Sequence, residues 1–247
     1  MVTLHLERIF DPKSVAVVGA SDEEGSVGYV LMKNLMGSGY EGQVYPINIR
    51  DPEVFGLRAY KSVSELPETP DLAVVATPAK TVPGILEECG KAGIKGVIVI
   101  SAGFKEVGAE GKALEERLLE IKRRYDLRIV GPNCLGIIRP SAGLNATFAD
   151  KMPKAGNITF VSQSGALCTA ILDLSLHENI GFSNFVSLGS MIDVDFGDLI
   201  DYFGTDPKTR SVLLYIEGLT DAREFMSAAR HFARTKPIIV VKAHPQA

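Results

Sequence analysis

Short, β-branched apolar runs alternate with amphipathic stretches along almost the whole chain, the pattern of parallel strands covered by helices. In the first half the runs are SVAVVGA, QVYPIN, LAVVATP, GVIVISAG and RIVGPN. Between them lie segments of helical spacing, among them TVPGILEECGKAG and EGKALEERLLEIKRRYD, the second with Leu114, Leu118 and Ile121 on one face and charges on the other. Strands joined in this way by right-handed crossovers predict a Rossmann-like domain over residues 1–135.

The rhythm breaks at GIIRPSAGLNATFADKMPKAGN, where prolines and glycines interrupt any period, so residues 136–157 are expected to connect two domains. It then restarts: NITFVS, NFVSLG, SVLLYIE and PIIVVKA read as strands, separated by ALCTAILDLSLHENIG, FGDLIDYFG and AREFMSAARHFAR as helices. Residues 158–247 are therefore expected to form a second parallel α/β domain. The chain stops five residues after Lys242, where a functional loop would leave its strand, and this ending predicts a piece of a longer protein, incomplete at its C-terminus.

Composition narrows the classes. A net charge of −4, with the basic residues scattered, gives no footprint for nucleic acid or an anionic membrane. No apolar run approaches the roughly 20 residues of a membrane span, and MVTLHLERIF lacks the regions of a signal peptide, which predicts a cytoplasmic protein. Cys89, Cys134 and Cys168 are odd in number and widely spaced, so they read as small buried residues, and no metal site is expected.

Candidate chemistry sits where strands give way to helices. GASDEEGSVG follows the first strand with glycines spaced Gly-x5-Gly-x2-Gly, longer than the dinucleotide fingerprint, and suits either phosphate contact by backbone N–H groups or a tight turn. At the end of the second strand, where an NAD site wants an acid, stand Asn48 and Arg50. Arg50 is either a solvated cation or a contact for an extra phosphate, as on NADP or coenzyme A. TPA and SAGFKEVG follow the third and fourth strands at the same sheet edge, with Pro78 and Gly103 shaping their backbones.

In VSQSGAL, Ser164 and Gly165 open a helix, where the hydroxyl either caps the helix or binds a phosphate oxygen. The GxSxG elbow of hydrolases is absent, because Ser162 stands two before Ser164. LLYIEGL ends a strand in Glu217, a carboxylate placed to accept from a histidine in the crevice. His5, His177 and His231 read as surface residues.

In this order and spacing the segments resemble the α-type half of the NDP-forming acyl-CoA synthetases, a group that includes ADP-forming acetyl-CoA synthetase and the α subunit of succinyl-CoA synthetase. The likeness is carried by LERIFDPKSVAVVGAS, YPIN, SAGFKE, GPNCLG, SQSGAL, SLGSMIDVDFGDLIDYF and YIEGL. It implies a coenzyme A domain with Gly19, Ser21 and Gly28 near the pyrophosphate, Arg50 near the phosphoadenosine, and Pro78 and Ala79 beside the nucleotide or its pantetheine arm. It further implies a flavodoxin-like second domain with phosphate at Ser162, Ser164 and Gly165.

Glu217 matches the glutamate that hydrogen-bonds the family's phosphorylated histidine. That histidine stands about a dozen residues beyond the strand that PIIVVKA matches, so His244 comes too early and is not taken as catalytic. The resemblance implies the interconversion of acyl-CoA, ADP and phosphate with acid, ATP and coenzyme A, through an acyl phosphate and a phosphohistidine. Its partners are a small carboxylic acid, ATP or ADP with Mg on an ATP-grasp domain or subunit, and an oligomer. The alternative is a degenerate coenzyme A-binding regulatory module of a protein lysine acetyltransferase. An NADP-dependent oxidoreductase is disfavoured by the glycine spacing.

Overall fold

A computed structural model describes residues 3–243; His244 lies outside them. A short helix, α1 (Glu7–Phe10), leads into β1 (Ser14–Val18), α2 (Val27–Gly37) and β2 (Gln43–Ile47). A small hairpin, β3 (Glu53–Val54) and β4 (Leu57–Arg58), precedes β5 (Leu72–Val75), α3 (Val82–Ala92), β6 (Gly96–Val99), α4 (Ala109–Tyr125) and β7 (Arg128–Val130). Every residue of β1, β5 and β6 is buried, which is why their apolar runs are unbroken rather than alternating. The strands form one parallel sheet in the order β2-β1-β5-β6-β7. The chain moves outward from β1 to β2 and returns to β5 on the other side, so the sheet's switch point lies between β1 and β5.

The segment 136–157, expected to be a connection, carries sheet structure instead. β8 (Gly136–Arg139) and β9 (Leu144–Thr147) pair antiparallel and join the second sheet at its edge. Both strands are almost wholly buried and only four residues long, too short for a period to show. The second sheet continues with β10 (Lys154–Ser162), α5 (Gly165–His177), β11 (Gly181–Ser187), α6 (Phe196–Thr205), β12 (Ser211–Ile216), α7 (Ala222–Phe232) and β13 (Ile238–Lys242). Its order is β13-β12-β10-β11-β8-β9, with β10 to β13 parallel. The fold is thus α/β throughout, two mainly parallel sheets with helices against them.

One apolar core runs across both sheets. Leu31, Met32 and Leu35 of α2 pack in the same cluster as Ile137, Leu144 and Ala146 of the β8–β9 pair and Phe196 and Phe203 of α6. The far face of the first sheet has its own core, with Leu86 of α3 and Leu118 and Ile121 of α4.

The loop after β11 then straps the two halves together. Ser190 N–H donates to the Pro132 carbonyl (2.8 Å), Ile192 N–H to that of Gly131 (3.3 Å) and Val194 N–H to that of Ile129 (3.1 Å). A Cβ on Gly189 would meet the carbonyl oxygens of Pro132 and Asn133 at 2.3 and 2.4 Å, and its φ is +57°, so only glycine allows this approach.

A buried charge cluster closes the strap. Arg128 donates through Nη2 to Asp198 (2.5 Å) and through Nε to Asp193 (3.1 Å), and Lys122 reaches the other oxygen of Asp193 at 3.0 Å. Asp195 caps α6 by accepting from the Asp198 N–H, while Asp198 accepts from the Asp195 N–H. Burial pushes the Asp198 carboxyl from 3.8 up to about 7; Arg128 pulls it down, and the neighbouring carboxylates of Asp195 and Asp193 add to the rise.

The folded state therefore holds a proton that the unfolded chain has released, and this contribution to stability is lost as pH rises from about 4 to about 7. Asp198→Asn keeps an oxygen for Arg128 and removes the titration. Its urea midpoint is expected to change less with pH across that window than the parent's, and parallel pH profiles would exclude the assignment.

Candidate functional site

The first loop is shaped by two glycines with different tasks. Gly19 has a φ of +92° and lies against Ala76 and Thr77, where a Cβ would meet the Thr77 methyl at 3.0 Å. Gly28, in the first turn of α2, has no room for a side chain because a Cβ would sit 1.9 Å from the Gly19 carbonyl oxygen. It lets the helix start against the loop, while Ser26 caps that start by accepting from the Tyr29 N–H (3.1 Å). Ser21 accepts from the Glu23 N–H and turns the loop (3.0 Å).

This loop forms one wall of a cavity of about 520 Å³ at the switch point. Gly19, Ser21, Arg50 and Pro78 line it, with Lys61 and Ile49. Gly28 and Ala79 stand behind the lining. Ala79 faces Gly103, where a Cβ would meet its methyl at 3.1 Å.

Asn48, at the position where an NAD site wants an acid, serves the loop itself. Its oxygen accepts from the N–H groups of Arg50 (2.7 Å) and Asp51 (3.1 Å), and its amide donates to the Ala20 carbonyl (2.9 Å). The turn carrying Arg50 is so tied to the glycine loop. Lys61 adds a second cation to the same cavity, which sequence spacing had not singled out. Ile49 is 75% exposed there, an apolar surface at the cavity's edge.

A second cavity, of about 460 Å³, lies where the two sheets meet. The first sheet contributes Ala76, Ser101 and Asn133, and the second contributes Gln163, Gly165 and Ala166 from the start of α5. Both cavities touch the same loop after β5, the first at Thr77 and Pro78 and the second at Ala76. Ser101 Oγ donates to the Thr77 carbonyl (2.5 Å) and fixes the partition. Cys134 also lines the second cavity, but its thiol donates to the Val99 carbonyl (3.3 Å), and burial pushes it up to about 12, so it is no nucleophile.

Around SQSG the hydroxyls are already engaged. Ser162 is fully buried and bridges within the loop, accepting from the Ser164 N–H (3.0 Å) and donating to the Ser164 carbonyl (3.1 Å). Ser164 caps α5 by accepting from the Leu167 N–H (3.3 Å). The N–H groups of Gly165 and Ala166 are left in the first helical turn, where the dipole favours an anion. A Cβ on Gly165 would meet nothing within 4 Å, so this end of the helix is open.

Gln163 joins that helix start to Glu217. Its side-chain oxygen accepts from the N–H groups of Glu217 (2.6 Å) and Gly218 (2.9 Å), while its own N–H donates to the Tyr215 carbonyl (3.3 Å). The Glu217 carboxylate is exposed and has no hydrogen-bond partner among the described residues. Of the histidines in the described region, His5 pairs with Asp126 (3.2 Å) and His177 with Glu178 (2.9 Å), both away from this site. Among the described residues no His/Cys/Asp/Glu group could hold a metal ion, and no helix is long and apolar enough to cross a membrane.

Comparison with known proteins follows the same division. The family described as CoA binding domain matches residues 13–140, and the succinyl-CoA ligase like flavodoxin domain matches residues 155–247. The chain belongs to the NDP-forming acyl-CoA synthetase family, as an α-type part with these two domains in sequence.

It is 47% identical to the acetate–CoA ligase [ADP-forming] I subunit alpha of Pyrococcus furiosus, over 97% of this chain and 53% of that subunit. It is 49% identical to the acetate–CoA ligase [ADP-forming] of Methanocaldococcus jannaschii, over 96% of this chain and 33% of that protein. A solved structure of the acetyl-coenzyme A synthetase 1 of Ca. Korarchaeum cryptofilum, in complex with phosphate and ADP, superposes with a TM-score of 0.93 at 44% identity, covering 96% of this chain and 51% of that one. The chain thus spans about half the length of the alpha subunit it matches and a third of the Methanocaldococcus jannaschii ligase.

Gln163→Ala isolates the link between helix and turn. Water can replace the lost acceptor at this exposed turn, so global stability is expected to shift by less than about 1 kcal/mol. Hydrogen exchange at the Glu217 and Gly218 amides should quicken by roughly 3–10-fold, the scale of one lost hydrogen bond. Unchanged protection at both amides would exclude the link.

Proposed function

We propose that this chain is the coenzyme A-binding and phosphate-handling part of an ADP-forming acyl-CoA synthetase, interconverting acyl-CoA, ADP and phosphate with acid, ATP and coenzyme A. The observation that carries this reading is the sharing of one loop, Ala76–Pro78, by two cavities. A nucleotide seated in the first places its flexible arm over that loop and its thiol in the second, beside the open start of α5.

The residues present fit that ligand. The closeness of Gly19 to Ala76 and Thr77 keeps the loop backbone low, and Ser21 and Pro78 flank the path of the pyrophosphate and the pantetheine arm. Arg50 and Lys61 supply charge for the phosphates. Gly28 and Ala79 act one layer back, by allowing α2 and the turn before α3 to approach. Ser162 and Ser164 hold the SQSG backbone in shape, so that the Gly165 and Ala166 N–H groups meet the phosphate.

Glu217 accepts from the N–H of the imidazole that carries the phosphoryl group, which is not His244 but the histidine that the family places about a dozen residues beyond β13, and so fixes its tautomer. The phosphoryl group passes to ADP with Mg on an ATP-grasp partner, fused or separate, and the assembled enzyme is an oligomer. Phosphoryl transfer needs fixed donors and positioning more than covalent help, which is what this chain offers. The relatives give no support to the regulatory-module reading. A reducing cytoplasm fits three free, buried cysteines.

Calorimetric titration should show coenzyme A binding more tightly than its 3′-dephospho form, by about 10-fold if a charged contact to the extra phosphate is lost. Tighter binding of NADP than of coenzyme A would overturn the reading. In the assembled enzyme, Glu217→Gln is expected to slow phosphorylation of the protein by roughly 10²-fold, the lower range for a positioned acid–base partner, with coenzyme A affinity unchanged.

A further inference from the structure

The reaction proposed above brings three groups to the second cavity: the thioester of coenzyme A, a phosphate and the acyl chain. Polar groups enter the cavity from the α5 side, at Gln163, Gly165 and Ala166, and from the first sheet at Ser101 and Asn133. Between them the lining is apolar and includes Val27, Ile100, Leu135 and Phe148. In the direction of acyl phosphate formation a phosphate oxygen bonds to the carbonyl carbon as the C–S bond breaks, and the electron pair leaves on sulfur, which takes up the proton that the phosphate loses. The reacting atoms must start about 3–3.5 Å apart, so the acyl chain lies in this cavity and points away from the helix start.

Two residues of the apolar wall stand out. Val27 is 37% exposed and Phe148 is 40% exposed, in a protein whose other large aromatic rings are mostly buried. Phe148 is nonetheless on a fixed backbone. Asn34 of α2, itself 9% exposed, donates through its side-chain amide to the carbonyls of both flanking residues, Thr147 (2.8 Å) and Ala149 (2.8 Å). The Ala149 N–H donates in turn to Thr147 Oγ1 (3.2 Å). A solvent-facing phenyl ring on a segment held from both sides is a rigid surface offered to a ligand. Val27 sits on the same helix as Asn34, two turns earlier, so one element places both parts of the wall.

We propose that Val27 and Phe148 form the wall against which the acyl group packs and which sets the size and shape of acid that this site accepts. This rests on the functional reading above. Neither residue lines the first cavity, and neither side chain carries a polar atom for the phosphate, so both act on selectivity rather than on the chemical step.

The test uses the assembled enzyme, with acetate, butyrate, 3-methylbutyrate and phenylacetate as acids. Phe148→Ala is expected to raise kcat/KM for phenylacetate relative to acetate by at least about 10-fold, within the range for pocket size selection in apolar sites. Val27→Ala should favour 3-methylbutyrate over acetate, and Phe148→Leu should fall between parent and alanine. Binding of acetyl-CoA and phenylacetyl-CoA by calorimetry provides a readout without turnover: Phe148→Ala should narrow the gap between their Kd values while leaving that of free coenzyme A unchanged. Selectivity and thioester affinities unchanged in both alanine variants, with normal melting, would overturn the proposal. A parent enzyme that binds the thioesters with the expected gap yet makes none from any acid would overturn the functional reading and leave the wall standing.

Discussion

The constraint on which the rest depends is that two parallel sheets must bring their carboxyl edges to one place. A parallel sheet has one functional edge, and a reaction that moves a group between two such edges needs them to face each other. The strap from Leu188 to Val194 imposes this by running along the backbone that leaves β7. Gly189 is where the two segments touch, and Arg128 with Asp193 and Asp198 locks the strap below it. The pairing of buried charges is costly in isolation and strongly orienting once made, which suits a joint that must hold one geometry. The GPNCLG and SLGSMIDV segments are the two sides of that joint.

The same constraint explains why the molecule does not divide cleanly between its sheets. The β8–β9 pair belongs to the second sheet by hydrogen bonding, yet it packs under α2 of the first domain. A core that continues from α2 to α6 resists rotation of one sheet against the other, and the cavity between them keeps its width. That rigidity underlies the wall proposed at Phe148.

Much of this was legible in the sequence, and the reasons are physical. Strands buried on both faces show as unbroken apolar runs, so β1, β5 and β6 stand out, while β12 is half-buried and β13 largely exposed, and these are marked by their β-branched residues instead. The glycine loop, Arg50, Pro78, the SQSG turn and Glu217 could be marked because crevices form at the ends of such strands. The antiparallel pair at 136–147 escaped notice because its polar residues are buried rather than exposed: Thr147 Oγ1 donates to Asn145, and Asn145 donates to the Lys151 carbonyl. Polar residues satisfied inside the fold look, in sequence, like those of a solvated loop.

The other invisible feature is a set of three amide side chains. Asn34 holds the backbone on either side of Phe148, Asn48 holds the turn that carries Arg50, and Gln163 holds the turn that carries Glu217. Each reaches a partner distant in sequence or across a loop, so no local period betrays it. Each also offers both donor and acceptor without a charge, which lets it fix a backbone beside an anionic ligand and leave the field there unchanged. The turn that carries Glu217 has one charged clamp besides, since Lys242 Nζ donates to the Glu217 carbonyl (2.7 Å), but it acts at the other end of that residue from the N–H that the amide holds. The groups that these loops present are the cations of Arg50 and Lys61 at the first cavity and the open helix start at Gly165 at the second.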